Sequence, residues 1–477
     1  MEVLFFLCVY WKLLHHAQPH QPYKQKKKLS TLKTPPITLS THHNMIEYAN
    51  KLCLAPMVRS GELPIRLLSL RYGCDLLWTP ELVDKKILQS TRIINQELNT
   101  IDYIVSNHQQ LDKKTVIFRK HPDETGRLIL QLGSSDPQLA VDAARKVIDD
   151  VDGIDLNCGC PKNFSTHSGM GAELLKTPDK LCSILINLVE KIGIPNKKSI
   201  SCKIRLFNNY DQLKNLIEKI LQTGISNLTI HCRTPIMRNR QDPVWNFLPK
   251  LIPIIQTAGV NLVINGNMQN VADLKNLQSA LNDNGGGKLS IMIAEAAEAN
   301  PSVFSHSPKP QCLIIQELFE ICQKYYQNFL ATKFLMLNMI PGKSKYFQKL
   351  SQTKSFDQMG VILKEISQEY EKQKQMSTKG LDKIFTIMNR DCQKANFFNL
   401  DQFQKHIAQR GEYMTKFFHE WQESTMLEDF DDTPTKRPLL NDNNNNVSNQ
   451  PSKRQKKKMA KSQTQPLSSI ENPIKVT

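Results

Sequence analysis

The chain has 477 residues, 40% of them hydrophobic and 22% charged, and a formal net charge of +17. That length suits about three average domains, or one barrel of roughly 250 residues with an appendage, and the charge points to an anionic partner, nucleic acid first. Eleven cysteines with no C-x-x-C and no paired framework exclude a disulfide scaffold, and with no His or Cys cluster at zinc-finger spacing no metal is expected.

Residues 3–14 are apolar but too short to span a membrane, and Glu2 stands where a secretory signal carries positive charge, so no membrane partner is expected. A polar stretch with Lys24-Gln-Lys-Lys-Lys28 follows. Residues 1–44 therefore read as a disordered extension or as sequence ahead of the true start, with Met45 as the expected beginning of the folded protein and of translation. A weak mitochondrial or membrane-anchor signal is the lesser reading.

Short apolar runs bounded by Gly, Pro or Asn then recur at 52–55, 75–79, 128–132, 153–156, 200–204, 227–231, 261–264 and 289–293. Helical patterns follow most of them, at 137–149, 179–192 and 212–223. Alternation of this kind predicts a parallel sheet. Eight units over about 250 residues predict a closed (β/α)8 TIM barrel across 45–309, with a doubly wound open sheet as the alternative. Residues 85–127, between the second and third runs, read as a helix and an inserted hairpin. From 310 the texture changes to long helical patterns at 312–339, 356–373 and 401–424, read as a separate, smaller all-helical domain ending near 425. Residues 426–477 turn acidic, then Asn-rich at 441–446, then basic, which predicts a disordered tail. Within it Lys436-Arg437 and Lys453-Arg-Gln-Lys-Lys-Lys458 have the spacing of a bipartite nuclear localisation signal, so nucleus and cytoplasm are the expected compartments.

In a (β/α)8 enzyme chemistry collects at the C-terminal ends of the strands. Those positions hold Pro56-Met57-Val58-Arg59, Gln131, Asn157 to Cys160, Lys203 to Arg205, His231, Asn265-Gly266-Asn267 and Ala294-Glu295. Polar or cationic groups end almost every strand, which a barrel filled for stability alone does not need. Such a set suits a planar redox ring with a phosphate tail. Lys203, inside an apolar strand, can stabilise negative charge on the edge of a reduced flavin, where an isolated lysine would ordinarily snorkel from an outer face. His231, at the neighbouring strand end, reads as a ligand contact more than as a structural histidine. Asn265-Gly266-Asn267 is a candidate phosphate-cradling turn. Cys160 lies in a Gly- and Pro-containing turn after a strand, and a thiol is mostly protonated at neutral pH. It is the candidate acid, while Cys158 within the strand reads as packing.

Five segments together carry a specific signal: Ala55-Pro-Met-Val-Arg59-Ser-Gly-Glu-Leu-Pro64, Pro80-Glu-Leu-Val-Asp-Lys85, Asp155-Leu-Asn-Cys-Gly-Cys-Pro-Lys162, Ser168-Gly-Met-Gly-Ala172 and Cys202-Lys-Ile-Arg205. The set resembles the tRNA-dihydrouridine synthases, most closely the eukaryotic enzymes of position 20 in a fungal-type version, over about residues 46–425. The resemblance implies FMN at the barrel mouth, reduced by NADPH (or NADH), and a monomer acting on tRNA. Hydride passes to C6 of a D-loop uridine, and the motif cysteine protonates C5 to give 5,6-dihydrouridine. It assigns FMN contacts to Pro56, Met57, Val58, Gln131, Lys203, His231, Asn265, Gly266, Asn267, Ala294 and Glu295. Cys160 becomes the proton donor, with Asn157, Arg205, Arg233 and, in the helical part, Lys333 on the RNA side. One departure stands out: many relatives carry Gly-Arg or Ala-Arg where this chain has Ala294-Glu295, so only backbone N–H groups can meet a phosphate there. Weaker FMN retention is the expectation. Two other readings remain at this point: an FMN-dependent (β/α)8 oxidoreductase of small pyrimidines, and a catalytically idle RNA-binding protein of the same fold.

Overall fold

The structure is a computed structural model that describes residues 46–107, 110–238, 241–281, 288–340, 342, 344–376 and 400–423. Residues 1–44, the tail at 426–477 and its candidate localisation signal lie outside the described residues. The eight predicted strands all form: β1 (Leu52–Leu54), β2 (Leu76–Trp78), β3 (Leu128–Gly133), β4 (Gly153–Cys158), β5 (Ser199–Arg205), β6 (Asn227–His231), β7 (Asn261–Asn265) and β8 (Ser290–Ile293). Neighbours pair in parallel from β1 round to β8. β8 pairs back onto β1 through Leu52↔Ile291, and β2 meets β3 through Leu77↔Leu128 and Trp78↔Ile129, so the sheet closes into a barrel.

The period-two alternation of each strand sorts its side chains into two cores. On β3, Leu128, Leu130 and Leu132 join the large core between sheet and helices, while Ile129 faces inwards. The lower interior is a small apolar cluster of Ile46, Tyr48, Cys53, Leu76, Trp78, Ile129, Val263 and Met292. Ile46 and Tyr48 precede β1 and plug the floor; a Cβ on Gly153 would sit 3.3 Å from Ile46 Cδ1 and 3.0 Å from Ser199 O. Above this floor the inward residues are polar, and that change of character sets the site at the C-terminal mouth.

Two segments differ from the sequence expectation. The insertion is the helix Asp84–Gln89 followed by three antiparallel strands, Thr91–Asn95, Thr100–Asn107 and Gln110–Lys120, one more than a hairpin. Four of the five residues of Thr91–Asn95 are exposed and the fifth is half-buried, so no buried face marks it as a strand in the sequence. The pattern at 312–339 is two helices, Gln311–Lys324 and Phe329–Asn338, broken where Tyr326 takes a φ of 50° and the Asn328 side chain accepts the Leu330 N–H at 2.8 Å. Lys345–Gln352, Phe356–Met376 and Leu400–Glu423 complete the helical part.

The last of these helices returns to the barrel. It packs along the helix Ala272–Ala280, and its Tyr413, Phe417 and Phe418 rings surround buried Trp245 at centroid distances of 6.3, 5.6 and 6.1 Å. Arg410 is buried there. Its guanidinium donates to both carboxylate oxygens of Asp273 at 2.8 Å and to Asn267 O at 2.9 Å.

Candidate active site

A polar ladder crosses the inside of the upper barrel. Gln131 Nε2 donates to Asp155 Oδ2 (2.9 Å) and Ser201 Oγ to Asp155 Oδ1 (2.7 Å). One layer higher, strand register sets Lys203 opposite Asn157 on one side and Thr229 on the other, and His231 opposite Arg205 and Asn265. Burial shapes the charges of this set. It pushes Asp155 up to about 6 and Lys203 down to about 7, the latter helped by nearby Arg205. Burial, then Lys203, Arg205 and Arg233, hold His231 well below its usual value. His231 is thus neutral, and its Nε2 accepts from Arg233 Nη1 at 3.2 Å, leaving the ring proton on Nδ1.

The Cys160 loop is built by backbone capture. Asn157 Oδ1 accepts the N–H groups of Gly159 (3.0 Å) and Cys160 (3.1 Å), and Arg205 Nε donates to Gly159 O (2.8 Å). Arg205 also donates through Nη1 to Thr234 O (3.0 Å), so it joins the cysteine loop to the loop after β6. The small residues of the Ser168–Ala172 segment are required by contact: Gly171 has a φ of 61°, and a Cβ there would lie 2.5 Å from both Cys160 O and Ser165 Oγ. Cys160 is half-buried, and burial followed by the Glu81 carboxylate raises its thiol pKa. Cys158 is fully buried, as packing requires.

On the opposite rim, Gly266 (φ 119°) and Asn267 (φ 58°) give the turn after β7 two successive left-handed residues. A Cβ on Gly266 would lie 3.4 Å from His231 Cδ2 and 3.4 Å from Cys232 N. Successive N–H groups in such a turn make an anion cradle. Asn265 Nδ2 is anchored on Met292 O at 2.8 Å. Pro56, Met57 and Val58 line the mouth after β1, and Arg59, at a φ of 73°, lies 4.2 Å over the Phe334 ring. Ala294 follows β8; Glu295 is exposed at the start of a short helix whose Glu298 accepts from Ser60 Oγ and from Asn338 Nδ2 (2.8 Å).

The structure therefore brings the sequence-predicted residues to one barrel mouth, Lys333 excepted. Lys333 lies on Phe329–Asn338, and its Nζ donates to Thr353 O at 2.8 Å, an internal partner that ties two helices. Among the described residues no His, Cys, Asp or Glu cluster could hold a metal, and no helix is long and apolar enough to cross a membrane.

The comparisons with known proteins agree with this arrangement. A family model described as Dihydrouridine synthase matches residues 53–386. The chain is 43% identical over 332 residues to the tRNA-dihydrouridine(20) synthase [NAD(P)+] of Saccharomyces cerevisiae, a match covering 68% of this chain and 85% of that protein. The chain belongs to the dihydrouridine synthase family. The protein of the same name from Schizosaccharomyces pombe is 43% identical over 314 residues, 65% of this chain and 64% of that one. A human protein named tRNA-dihydrouridine(20a/20b) synthase [NAD(P)+]-like is 29% identical over 255 residues, 54% of this chain and 70% of that one.

Two residues of this dihydrouridine synthase site escaped the sequence reading. Glu81 belongs to the Pro80–Lys85 segment noted above, but strand periodicity gives its side chain no direction. Arg410 lies 24 residues beyond the matched region, and its guanidinium reaches the Asn267 turn from a distant helix. No local pattern announces such a contact.

Proposed function

We propose that this protein reduces a D-loop uridine of tRNA, at position 20, to 5,6-dihydrouridine, with FMN as the hydride carrier and NADPH (or NADH) as reductant. The observation that carries the reading is Cys160 held at the barrel mouth across from a donor-rich rim, in a chain of the dihydrouridine synthase family. The fit to FMN rests on the donor set. Lys203, neutral His231 and Asn265 suit the edge of an electron-rich ring, and the Gly266–Asn267 turn suits a phosphate. Thr234 Oγ1, in the loop after β6, is buried at this end of the barrel without a protein partner. Bound there, FMN would supply hydride to C6 of the uracil.

The chain's own residues do the rest. Lys203 supplies a proton or positive charge where negative charge collects, and at about 7 it can do either. Asn157 and Arg205 fix the loop so that the Cys160 S–H is presented towards the mouth. The thiol then gives its proton to C5: the S–H bond breaks, the C5–H bond forms, and sulfur is left as thiolate. A base in the tRNA elbow must leave its stack to reach this depth, and a net charge of +17 suits the grip on the phosphate backbone that this requires. We further propose that the protein acts as a monomer in nucleus and cytoplasm.

The test is an anaerobic spectrum of the full chain. Flavin absorbance that bleaches with NADPH and returns with unmodified tRNA, with dihydrouridine in the product, supports the synthase. Flavin that reoxidises with a free pyrimidine and ignores tRNA would replace it with a small-molecule reductase. A colourless protein that binds RNA and stays inactive with added FMN would replace it with an idle scaffold. Cys160→Ala should keep its flavin and lose dihydrouridine formation by 100-fold or more, roughly the worth of a positioned acid; full activity would remove Cys160 from the chemistry.

A further inference from the structure

The Pro80-Glu-Leu-Val-Asp-Lys85 segment has no part in the reaction described so far, and its geometry is unusual. β2 pairs with β3 at Leu77↔Leu128 and Trp78↔Ile129, and pairing resumes at Leu82↔Leu132 and Val83↔Gly133. Between these points Thr79, Pro80 and Glu81 face only Leu130 and Gln131, so the strand bulges by one residue. A bulge redirects the side chain it carries, and Pro80 cannot donate to the ladder in any case. Thr79 Oγ1 takes the Gln131 N–H at 3.0 Å in its place.

The redirected side chain is Glu81. Its carboxylate lies against Gly133, where a Cβ would come within 2.6 Å of Oε1. Ser165, from the short helix after the cysteine loop, is fully buried and donates to Oε1 at 3.1 Å. Oε2 is buried and has no hydrogen-bond partner, an expensive state for a carboxylate unless it has a use. Burial raises the Glu81 pKa, and Ser165, the Cys160 thiol and the Asn157 amide lie close enough to oppose that rise by favouring the charged form. Gly171 closes the arrangement, since its missing Cβ is what lets Cys160 and Ser165 approach each other.

We propose that Glu81 is the positioning residue of Cys160: its carboxylate receives the thiol S–H, aims it, and keeps the proton on sulfur until the substrate carbon takes it. The proposal rests on the synthase reading of Cys160 and deepens it. The charged groups around the pair are Lys162 on the same loop and Arg205 and Lys203 on β5. Lys162 and Arg205 are cationic, as is Lys203 when protonated, and each then favours thiolate, which cannot act as an acid. Glu81 is the neighbouring group of opposite sign, and it disfavours thiolate. After C5 has taken the proton, the same carboxylate makes the remaining thiolate costly, so sulfur recovers a proton from solvent before the next tRNA; no electrons move in this step.

The test is Glu81→Gln in the full chain, which keeps the shape and removes the charge. With no tRNA present, iodoacetamide alkylation of Cys160, followed by peptide mass spectrometry across pH, should move to lower pH. kcat should fall about tenfold or more, with KM for tRNA and flavin content unchanged. Glu81→Asp, which restores the charge one methylene back, should recover part of both. An unchanged alkylation profile, an unchanged kcat, or equal loss in the Gln and Asp variants would overturn the proposal. So would loss of flavin or of the folded far-UV spectrum in either, which would make Glu81 a structural residue. Cys160→Ala separates the two levels. If it remains active the reading of Cys160 itself fails, whereas an inactive Cys160→Ala beside an unaffected Glu81→Gln removes Glu81 alone.

Discussion

Gly171 and Lys203 show how much of this site is decided atom by atom. Gly171→Ala places a methyl 2.5 Å from Cys160 O at a φ of 61°. The strain, about 1–3 kcal/mol, must be relieved by moving the loop. The expected result is a folded protein with bound flavin whose kcat falls about tenfold or more; wild-type kcat would show that the loop tolerates displacement. For Lys203 the measurable quantity is the pH dependence of stability in the flavin-free protein. Burial lowers its pKa to about 7, against 10.5 for the ordinary side chain. Between those values the unfolded chain carries a proton that the folded one lacks, so this group makes stability rise with pH through that window. Lys203→Met should reduce that slope by up to about 1.4 kcal/mol per pH unit, measured by urea unfolding. An unaltered slope would mean that Lys203 stays charged.

At the level of elements, the helix Leu400–Glu423 holds two loops of the mouth at once. Its aromatic residues enclose Trp245, which follows the loop carrying Arg233, and its Arg410 ties Asp273 to Asn267 in the proposed phosphate turn. Arg410→Met leaves the buried Asp273 carboxylate without its counter-ion, a loss of about 3–5 kcal/mol. Flavin retention on gel filtration should drop along with stability, and Arg410→Lys should restore the charge but less of the retention, since one ammonium cannot span both partners. A variant that unfolds earlier yet binds FMN as tightly as wild type would separate the helix from the cofactor. The strands were legible because barrel strands are short apolar runs between turn residues, and Lys203, His231 and Cys160 because they interrupt or end such runs. The strand at 91–95 was not, for want of a buried face, and neither was the break at Tyr326–Asn328, where no Gly or Pro marks the turn. Glu81 and Arg410 depend on a bulge and on a long-range packing contact, neither of which leaves a periodic trace.

Over the whole molecule, the charge of +17 makes RNA binding a salt-dependent quantity. Affinity for tRNA should fall linearly on a log–log plot against salt. Removing residues 426–477 should flatten that slope and leave kcat at saturating tRNA unchanged; a collapse of kcat would assign the tail a part in presenting the uridine. A fluorescent fusion lacking those residues should also leave the nucleus, and continued nuclear accumulation would discard the localisation signal.

The closure between β2 and β3 has a consequence of another kind. That seam is lapped by two residue pairs before the bulge, as is the β1–β2 seam beside it, whereas β4 and β5 share six and β5 and β6 five. A ring of staves parts at its shortest joints, and both of these flank β2. In native-state hydrogen exchange the amides of Leu77 and Thr79, bonded to Arg127 O and Ile129 O, should therefore trade their protons well before those of β4 and β5. Trp78 sits between them as a built-in fluorescent witness to that opening.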